Sequence, residues 1–290
     1  MGWYQTAIPP TAPQTDLSGQ TIVITGANTG LGFEAALQLL RLRASNLVLG
    51  VRSIRRGEDA RLRLLADAEV RSVNPAAVIK VLQLDLIDYD SVVNYLSNAL
   101  LTLLLLPHLS STPATPIHKP TITWVGSMAQ GFNSLAKLPE IPPSILARFS
   151  DPRKYSALTQ YPNSKMFVAM FVRALGQHLP DSNVVVNNLC PGTVDTAADD
   201  KLPFYLRIPM NLNRRLRART VEEGARTLVF ASSVAGGETH GKYIANNEIS
   251  QLAAYADTAN GRLFSEQLWR ETLQECASVD NRVKTLKWRD

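Results

Sequence analysis

A glycine-rich turn between a strand and a helix constrains this chain more than any other feature. Residues 21–25 form a short apolar run, the turn 25–32 follows at once, and a helical pattern comes next. Gly26 permits a tight turn, while Gly30 and Gly32 let a phosphate and the helix approach the backbone closely. The unpaired N–H groups at the start of a helix favour an anion such as a pyrophosphate. The turn therefore predicts a dinucleotide-binding βαβ unit.

Strand-like apolar runs alternate with helical patterns along most of the chain. Strands are predicted at 21–25, 47–51, 78–84, 121–125, 183–189 and 241–244, and helices at 33–42, 56–66, 91–106, 164–178 and 221–231. This alternation is typical of a doubly wound parallel sheet between two helix layers, the three-layer α/β/α Rossmann fold.

The length of 290 residues suits one such domain. We predict an N-terminal arm at 1–19 and a single nucleotide-binding domain at 20–290. The segments 128–160 and 195–219 lack clean periodicity and are predicted to be loops over a site.

The composition argues against several classes of protein. Two cysteines are too few for a disulfide framework, and no CxxC or histidine cluster predicts a metal site. The formal charge of +5 is scattered, without a nucleic-acid-binding motif. The longest apolar run, 95–107, is too short to cross a bilayer, and the N-terminus lacks the order of a secretory signal. We therefore predict a cytoplasmic protein that binds neither nucleic acid nor metal and has no membrane span.

The ends of the second and third strands carry polar side chains that suit a nucleotide. Arg52 stands where an NAD-preferring site usually places a carboxylate, and its guanidinium can donate two hydrogen bonds to a 2′-phosphate. NADP(H) is therefore the predicted cofactor, although Arg52 also fits a solvated loop. Asp85 follows the third strand, where a carboxylate can accept a hydrogen bond from the adenine amino group.

A tyrosine and a lysine four residues apart predict acid–base chemistry. Tyr161 and Lys165 fall on one face of a helix, and an ammonium near a phenol favours the phenolate. This would bring the phenol into the range of a general acid or base. Ser127 follows the strand 121–125, where its hydroxyl can meet a substrate oxygen.

Taken in order, these motifs resemble the short-chain dehydrogenase/reductase family, and its retinol-dehydrogenase-like branch in particular, over residues 18–275. The matching features are the TGxxxGxG turn, the Asp85-Leu86 pair, Ser127, the YxxxK pair, the Pro-Gly motif after the fifth strand and the helix around 93–107. The resemblance implies the catalytic residues Asn94, Ser127, Tyr161 and Lys165. It also implies cofactor contacts from Gly26, Asn28, Thr29, Gly30, Leu31, Gly32, Arg52, Asp85, Tyr161, Lys165, Pro191, Gly192, Val194 and Thr196.

The implied reaction is hydride transfer between nicotinamide and a carbonyl or alcohol carbon. Tyr161 would exchange the proton, Lys165 would assist it and hold the ribose, Ser127 would hold the substrate oxygen, and Asn94 would anchor a water. The resemblance implies a lipophilic small-molecule substrate, as in secondary metabolism. Apolar residues in the two loops could line its entrance or could simply pack the loops onto the body; they are Phe132, Leu135, Ile141, Ile145, Phe149, Leu202, Phe204, Tyr205, Leu206 and Ile208.

The chain departs from the family between Asp85 and Asn94. Only the eight residues 86–93 separate them, where the family has a helix, a strand with an Asn-Asn-Ala-Gly motif and the start of another helix. The sheet is therefore predicted to be one strand and one helix short. Either a gap remains, or the strand 121–125 pairs with 21–25.

Three functional interpretations stay open because of this missing segment. They are an active reductase with an adapted sheet, a non-catalytic protein of the same fold that binds a nucleotide or a partner, and an inactive shortened gene product. The helix 164–178 is apolar almost all round, which fits a core helix and also a homo-oligomer interface.

Overall fold

The first half of the chain alternates between strands and helices, with two consecutive helices between the second and third strands. The computed structural model describes residues 5–12, 14–86, 95–113, 118–154, 156, 158–180, 183–195 and 218–288. The strands are β1 (Thr21–Thr25), β2 (Asn46–Val51), β3 (Val78–Gln83), β4 (Thr121–Val125), β5 (Val185–Cys190), β6 (Tyr243–Ala245) and β7 (Glu248–Ser250). The helices are α1 (Gly30–Arg41), α2 (Ile54–Ala66), α3 (Ala68–Val73), α4 (Leu96–Ser110), α5 (Ile145–Ser150), α6 (Gln160–His178), α7 (Val221–Val229) and α8 (Ala259–Val279).

These elements belong to two compact units, each with its own sheet. The first unit contains the described residues of 1–85 and 191–234, and the second contains those of 86–190 and 235–290. The first sheet has the order β1-β2-β3, and the second has the order β4-β5-β6-β7.

The first unit buries one face of a parallel sheet under helices. Ile22 pairs with Leu47, which pairs with Ile79, so these three side chains lie on the same face. That face packs against small and aliphatic residues of α1, α2 and α3, among them Ala36 and Leu64. Helix α7 joins the same side, where Val229 meets residues next to β1. The regular βαβ pattern of the sequence therefore produced the expected parallel register.

The opposite face of this sheet carries exposed apolar side chains. Val23, Val78 and Leu82 are 52%, 46% and 54% exposed. They alternate with the buried residues of the same strands and therefore point away from α1 and α2. Among its described residues, the first unit thus has one helix layer, on one face of its sheet.

The second unit has a mixed sheet around a long apolar helix. Strands β4, β5 and β6 are parallel, as predicted, and an additional strand that was not predicted, β7, runs antiparallel to β6. Helix α6 is the centre of the core, with Phe167, Met170 and Phe171 almost fully buried among side chains of α4 and α8. The apolar surface on which we based homo-oligomerisation is therefore packed within the chain, and self-association stays a prediction.

Several elements differ from the sequence interpretation. The segment 128–160, predicted to be a loop, contains the short helix α5 and a 3-10 turn at Met128–Phe132. Three of its apolar residues, Leu135, Ile145 and Phe149, are buried in the core. They therefore pack the segment onto the body. The last helix, α8, was not predicted at all, although its buried positions Phe264 and Leu268 lie four residues apart.

Strands β1 and β4, between which the sequence predicts a missing strand, are outer strands of their sheets in the described residues. In the described residues, β1 hydrogen-bonds only to β2 and β4 only to β5. The two predicted alternatives, a gap or a pairing of β4 with β1, concern strands of different units and stay predictions. Residues 87–94, where the family segment would insert, lie outside the described residues.

A close approach of two glycines predicts a stability defect. A Cβ added at Gly176 of α6 would lie 2.5 Å from the Cα of Gly241, where both contacting atoms belong to the backbone. Overpacking of this kind costs about 1–3 kcal/mol, and the helix preference of alanine over glycine recovers at most about 1 kcal/mol. We expect Gly176→Ala to lower the melting temperature by about 2 °C or more.

The control for this substitution is Gly131→Ala, because an added Cβ at Gly131 has open space. Differential scanning calorimetry of both variants decides the matter. A Gly176→Ala protein that melts with or above the wild type would show that the two segments do not approach each other as described.

Candidate active site

The glycine-rich turn joins β1 to α1 at the carboxyl edge of the first sheet. Gly26 and Gly30 have φ angles of +69° and +57°, a region that favours glycine. The Gly26 amide donates to the Gly50 carbonyl at 2.8 Å, which fixes the start of the turn against β2. A Cβ at Gly26 or Gly30 would meet no heavy atom within 4 Å, so open space adjoins the backbone. The turn therefore fits a bound phosphate.

The remaining residues of the turn support this shape. A Cβ at Gly32 would lie 2.7 Å from the Gly26 carbonyl oxygen, so the helix starts directly against the turn. Ala27 is fully buried in the core, and Leu31 packs near Gly224 of α7. Asn28 and Thr29 are the two remaining predicted contacts, and Thr29 is the residue before α1.

Arg52 and Asp85 lie at the same edge of the first sheet as the glycine-rich turn. The Leu84 amide donates to the Val51 carbonyl at 2.9 Å, so the chain leaves β2 and β3 side by side. Arg52 directly follows β2 and is exposed, and Asp85 follows β3. A guanidinium and a carboxylate thus stand next to a phosphate-shaped turn. This arrangement suits an adenosine nucleotide with an additional phosphate.

The Pro-Gly motif belongs to the first unit as well. Gly192 has a φ of +83°, and Val194 forms a parallel bridge with Arg219. Pro191 is buried, whereas Val194 is partly accessible. Thr196 lies outside the described residues, so the structure does not place the last predicted cofactor contact.

The second unit brings together the tyrosine, the lysine and the serine. The Lys165 ammonium lies 5.6 Å from the centre of the Tyr161 ring, as the spacing of four residues predicted. The same ammonium donates to the Val125 carbonyl at 2.8 Å, at the end of β4 and two residues before Ser127. Tyr161 is 49% exposed. A phenol with a cation beside it therefore faces outward at the end of a strand.

Ser127 is held by the turn that it begins. Its Oγ accepts a hydrogen bond from the Ala129 amide at 3.1 Å, which caps the 3-10 turn. The hydroxyl proton is not used in that bond, so the side chain can still donate. Asn94, the fourth residue of the predicted catalytic set, lies outside the described residues.

Asn163 is a residue of this site that the sequence interpretation missed. Its Oδ1 accepts from the Ser134 amide at 2.8 Å, and its Nδ2 donates to the Ser134 hydroxyl at 3.0 Å. Asn163 is buried and lies two residues after Tyr161. It ties the first turn of α6 to the segment that follows Ser127. Its place inside the YxxxK motif was the signal that could have identified it.

Cys190 and Tyr243 form a second group of supporting residues. The Cys190 Sγ accepts from the Met128 amide at 3.1 Å. Burial raises the pKa of Tyr243 well above its usual value, with Cys190 acting in the same direction. Its phenol therefore stays neutral beside the thiol. Strand pairing of β5 with β6 brings these residues together, which spacing alone could not show.

Burial also changes the titration of Lys165. The loss of solvent lowers the pKa of Lys165 to about 8 from its usual 10.5, and the effect of Cys190 only partly opposes this. Below about pH 8 the folded protein therefore keeps a buried charge on Lys165, which lowers the free energy of unfolding. Between about pH 8 and 10.5 the unfolded chain still binds a proton that the folded protein has lost, so stability rises with pH.

We therefore expect Lys165→Met to melt above the wild type at pH 7, with a difference that shrinks as the pH approaches 10. Thermal melts of both proteins across this range measure the difference. Lys137→Met, at an exposed lysine of the same unit, is the matched control. An equal pH trend in the control, or a difference for Lys165→Met that grows with pH, would contradict the expectation.

Comparison with known proteins decides the family. Short chain dehydrogenase sor7 of Hypocrea jecorina is 39% identical over 292 residues, covering 86% of this chain and 81% of that protein. Short-chain dehydrogenase/reductase tropG of Talaromyces stipitatus is 33% identical over 318 residues, covering 96% and 97%. The chain belongs to the short-chain dehydrogenase/reductase family. The short chain dehydrogenase family model also matches residues 152–203, which include Tyr161 and Lys165. These matches confirm that the motifs belong to an oxidoreductase family, as the sequence predicted. The retinol-dehydrogenase-like branch stays a prediction.

Solved structures confirm the Rossmann-like α/β fold of this short-chain dehydrogenase/reductase. A putative uncharacterized protein from Mycobacterium paratuberculosis is similar with a TM-score of 0.63 and 21% identity, covering 90% of this chain and 94% of that one. The RhlG/NADP active-site complex of Pseudomonas aeruginosa has a TM-score of 0.56 and 18% identity, covering 81% and 97%.

The alignments contain positions that only the relatives fill. The match to tropG spans 318 positions but includes 96% of the 290 residues of this chain, about 278, so about 40 positions are filled by the relative alone. The match to sor7 spans 292 positions with 86% of this chain, about 249 residues, which leaves a similar number. A strand-helix-strand crossover takes about 30 residues or more. The difference thus has the size of the predicted deletion.

The described residues contain neither a metal-binding cluster nor a membrane-spanning helix. No group of three or more His, Cys, Asp or Glu side chains in this part of the chain could hold a metal ion. No helix there combines the length and the apolar character that a membrane crossing requires.

Proposed function

We propose that the chain is an NADP(H)-dependent oxidoreductase that interconverts a carbonyl and an alcohol on a lipophilic small molecule. The observation that carries this proposal is the position of the Lys165 ammonium, between the Tyr161 ring and the end of β4, where Ser127 follows. A phenol, a cation and a hydroxyl within one short region are the groups needed to move a proton to or from a substrate oxygen.

The chain's own residues divide the work of this reaction. The cofactor supplies the hydride. Ser127 donates a hydrogen bond to the substrate oxygen, and Tyr161 gives its phenolic proton to that oxygen or takes it back. The Lys165 ammonium favours the phenolate form of Tyr161. Asn94 would anchor a water that returns the proton to solvent.

The cofactor choice rests on the first unit. The open space at Gly26 and Gly30 fits the pyrophosphate, and the exposed Arg52 suits a 2′-phosphate. NADP is printed in the description of the similar RhlG structure, which supports the same cofactor here. Asp85, Val194 and Thr196 complete the proposed set of contacts.

Exposed apolar side chains close in sequence to Ser127 or Tyr161 favour a lipophilic substrate. Met128, Phe132 and Leu158 are exposed in the second unit, where they belong to the segments on either side of the catalytic residues. Among the described residues of the predicted entrance, Phe132 is the most exposed, at 76%. We place this enzyme in secondary metabolism, in the cytoplasm.

One observation favours a second function. The strands β1 and β4 are outer strands of separate sheets, and about 40 positions of the relatives are absent. A protein of this fold that binds a nucleotide or a partner without turnover would need the glycine-rich turn but not the complete catalytic region. Binding without turnover would identify it.

The first test is a titration of the purified full chain with NADPH and NADH, followed by nicotinamide fluorescence and by melting temperature. We expect NADPH to bind more tightly than NADH, because Arg52 meets the additional phosphate. Loss of one charge-assisted hydrogen-bonding group costs about 1.5–3 kcal/mol, so Arg52→Ala should weaken NADPH binding by about 10- to 100-fold. Binding of NADH should change little.

The matched control is Arg55→Ala, at an exposed arginine of α2 three residues further along. An equal loss in the control, or an equal loss for NADH, would mean that Arg52 does not read the 2′-phosphate. A protein that melts cooperatively but binds neither nucleotide would overturn the proposed function.

A further inference from the structure

The N-terminal arm is attached to the Pro-Gly motif by a glutamine side chain. Gln5 Nε2 donates to the Thr193 carbonyl at 2.9 Å, and the Thr193 amide donates to Gln5 Oε1, also at 2.9 Å. One carboxamide thus satisfies both backbone groups of a single residue. This two-point pairing fixes direction as well as distance, which a single hydrogen bond does not.

A buried arginine strengthens the attachment. Arg219 is 4% exposed, and its guanidinium donates to the Pro191 carbonyl at 3.1 Å and to the Thr6 carbonyl at 2.5 Å. This buried guanidinium therefore links the arm to the Pro-Gly motif. Buried charges of this kind are costly unless they are well paired, so the arm and the motif depend on each other.

The arm has a second anchor on α7. The Ile8 amide donates to the Glu223 carboxylate at 2.7 Å, and Arg226 donates to the Ile8 carbonyl at 2.6 Å. The Ile8 side chain itself is buried. Residues 5–8, which we call the strap, are consequently held at both ends. The sequence interpretation gave this segment no role beyond leading into β1.

The strap also accounts for the glycine of the motif. A Cβ at Gly192 would lie 2.3 Å from Gln5 Oε1 and 2.6 Å from Arg219 Nη1. Any larger residue would therefore require the ends of the Gln5 and Arg219 side chains to shift. On this side the motif is covered by the chain itself.

The backbone groups of Val194 lie on the opposite side of this segment from Arg219. In the bridge to Arg219, the Thr193 carbonyl accepts from the Arg219 amide, and the Asp195 amide donates to the Arg219 carbonyl. Backbone groups alternate in direction along an extended segment, so the N–H and C=O of Val194 point away from Arg219. An amide ligand can pair with Val194 while Gln5 pairs with Thr193.

We propose that Gln5 is a positioning residue, which holds the turn 191–194 so that Val194 meets the carboxamide of the nicotinamide. This rests on the proposed function, because it requires that the chain binds the dinucleotide. The strap acts on the nicotinamide end of the cofactor alone, since the adenosine end belongs to the glycine-rich turn and Arg52.

The test compares NADPH with adenosine 2′,5′-bisphosphate, which lacks the nicotinamide end. Calorimetric titrations use the full chain, Gln5→Ala and, as the matched control, Gln14→Ala, at an exposed glutamine of the same arm. Two lost hydrogen bonds are worth about 1 kcal/mol each, so Gln5→Ala should weaken NADPH binding by about tenfold or more. Binding of the bisphosphate should stay within about twofold.

Hydrogen exchange of the peptide that covers 190–195 gives a second readout, which needs no cofactor. We expect faster exchange there in Gln5→Ala than in the wild type or in Gln14→Ala, with exchange in β2 unchanged.

Each outcome decides the matter. Unchanged exchange, or equal losses for both ligands, would overturn the positioning role and leave the proposed function intact. Tighter NADPH binding by Gln5→Ala would also overturn it, because the glutamine would then compete with the cofactor. If the wild type binds neither ligand, the proposed function fails and the positioning role fails with it.

Discussion

Replacing Tyr161 with phenylalanine is expected to lower turnover by about 10²- to 10⁴-fold, the usual contribution of a general acid–base group. The substitution removes one oxygen from a side chain that is 49% exposed, so we expect little change in the free energy of unfolding. The Lys165 ammonium keeps its hydrogen bond to the Val125 carbonyl. The loss should therefore appear in turnover and not in NADPH affinity.

The probe for this measurement is 9,10-phenanthrenequinone, a lipophilic dicarbonyl, with NADPH consumption as the readout. Tyr255→Phe is the matched control, because Tyr255 is a partly buried tyrosine of the same unit. It should leave turnover close to that of the wild type. A Tyr161→Phe protein that keeps full turnover would remove the proposed proton donor and with it the mechanism.

Replacing Gly32 with alanine is expected to weaken NADPH binding by about 10- to 100-fold. An added Cβ would lie 2.7 Å from the Gly26 carbonyl oxygen and 3.1 Å from the Cα of Ala27. Both are backbone atoms, and Ala27 is fully buried, so the turn must change shape. A distortion of about 1–3 kcal/mol converts to this range of affinity.

The melting temperature of Gly32→Ala separates a distorted turn from a lost fold. Gly131→Ala again serves as the control, since its added Cβ meets nothing. If Gly32→Ala binds NADPH as tightly as the wild type, the glycine-rich turn does not hold the pyrophosphate. If it fails to fold, the smaller ligand adenosine 2′,5′-bisphosphate should still stabilise the wild type, and the absence of that effect would lead to the same conclusion.

Local patterns in the sequence predicted the first unit well. The alternation of apolar runs and helical periods gave β1, α1, β2, α2 and β3 nearly to their observed ends, because each element follows the previous one directly. The turn at Gly26 and the pairing of Tyr161 with Lys165 are also local, so spacing alone was enough to find them.

Local sequence patterns could not predict contacts between distant segments. Gln5 and Thr193 are 188 residues apart, and no spacing rule connects them. The same holds for Ser134 with Asn163, since a buried amide pair depends on how two segments pack. Strand β7 escaped prediction because its three residues are too few to show alternation.

The deletion could be predicted in size but not in its effect on the sheet. The eight residues between Asp85 and Asn94 predict a missing strand, and about 40 positions filled only by the relatives match the expected size. Whether the neighbouring strands would close the gap depends on competing packing energies, which a sequence does not display. In the described residues, each is an outer strand of its own sheet.

The apolar face formed by Val23, Val78 and Leu82 affects how the protein behaves at high concentration. Molecules that meet through such faces attract at short range, whereas the net charge of +5 repels at longer range. Added salt shortens the reach of the repulsion to about 8 Å at physiological ionic strength and leaves the attraction in place. Added salt should therefore make the molecules associate more readily in solution. The osmotic second virial coefficient should then fall towards negative values.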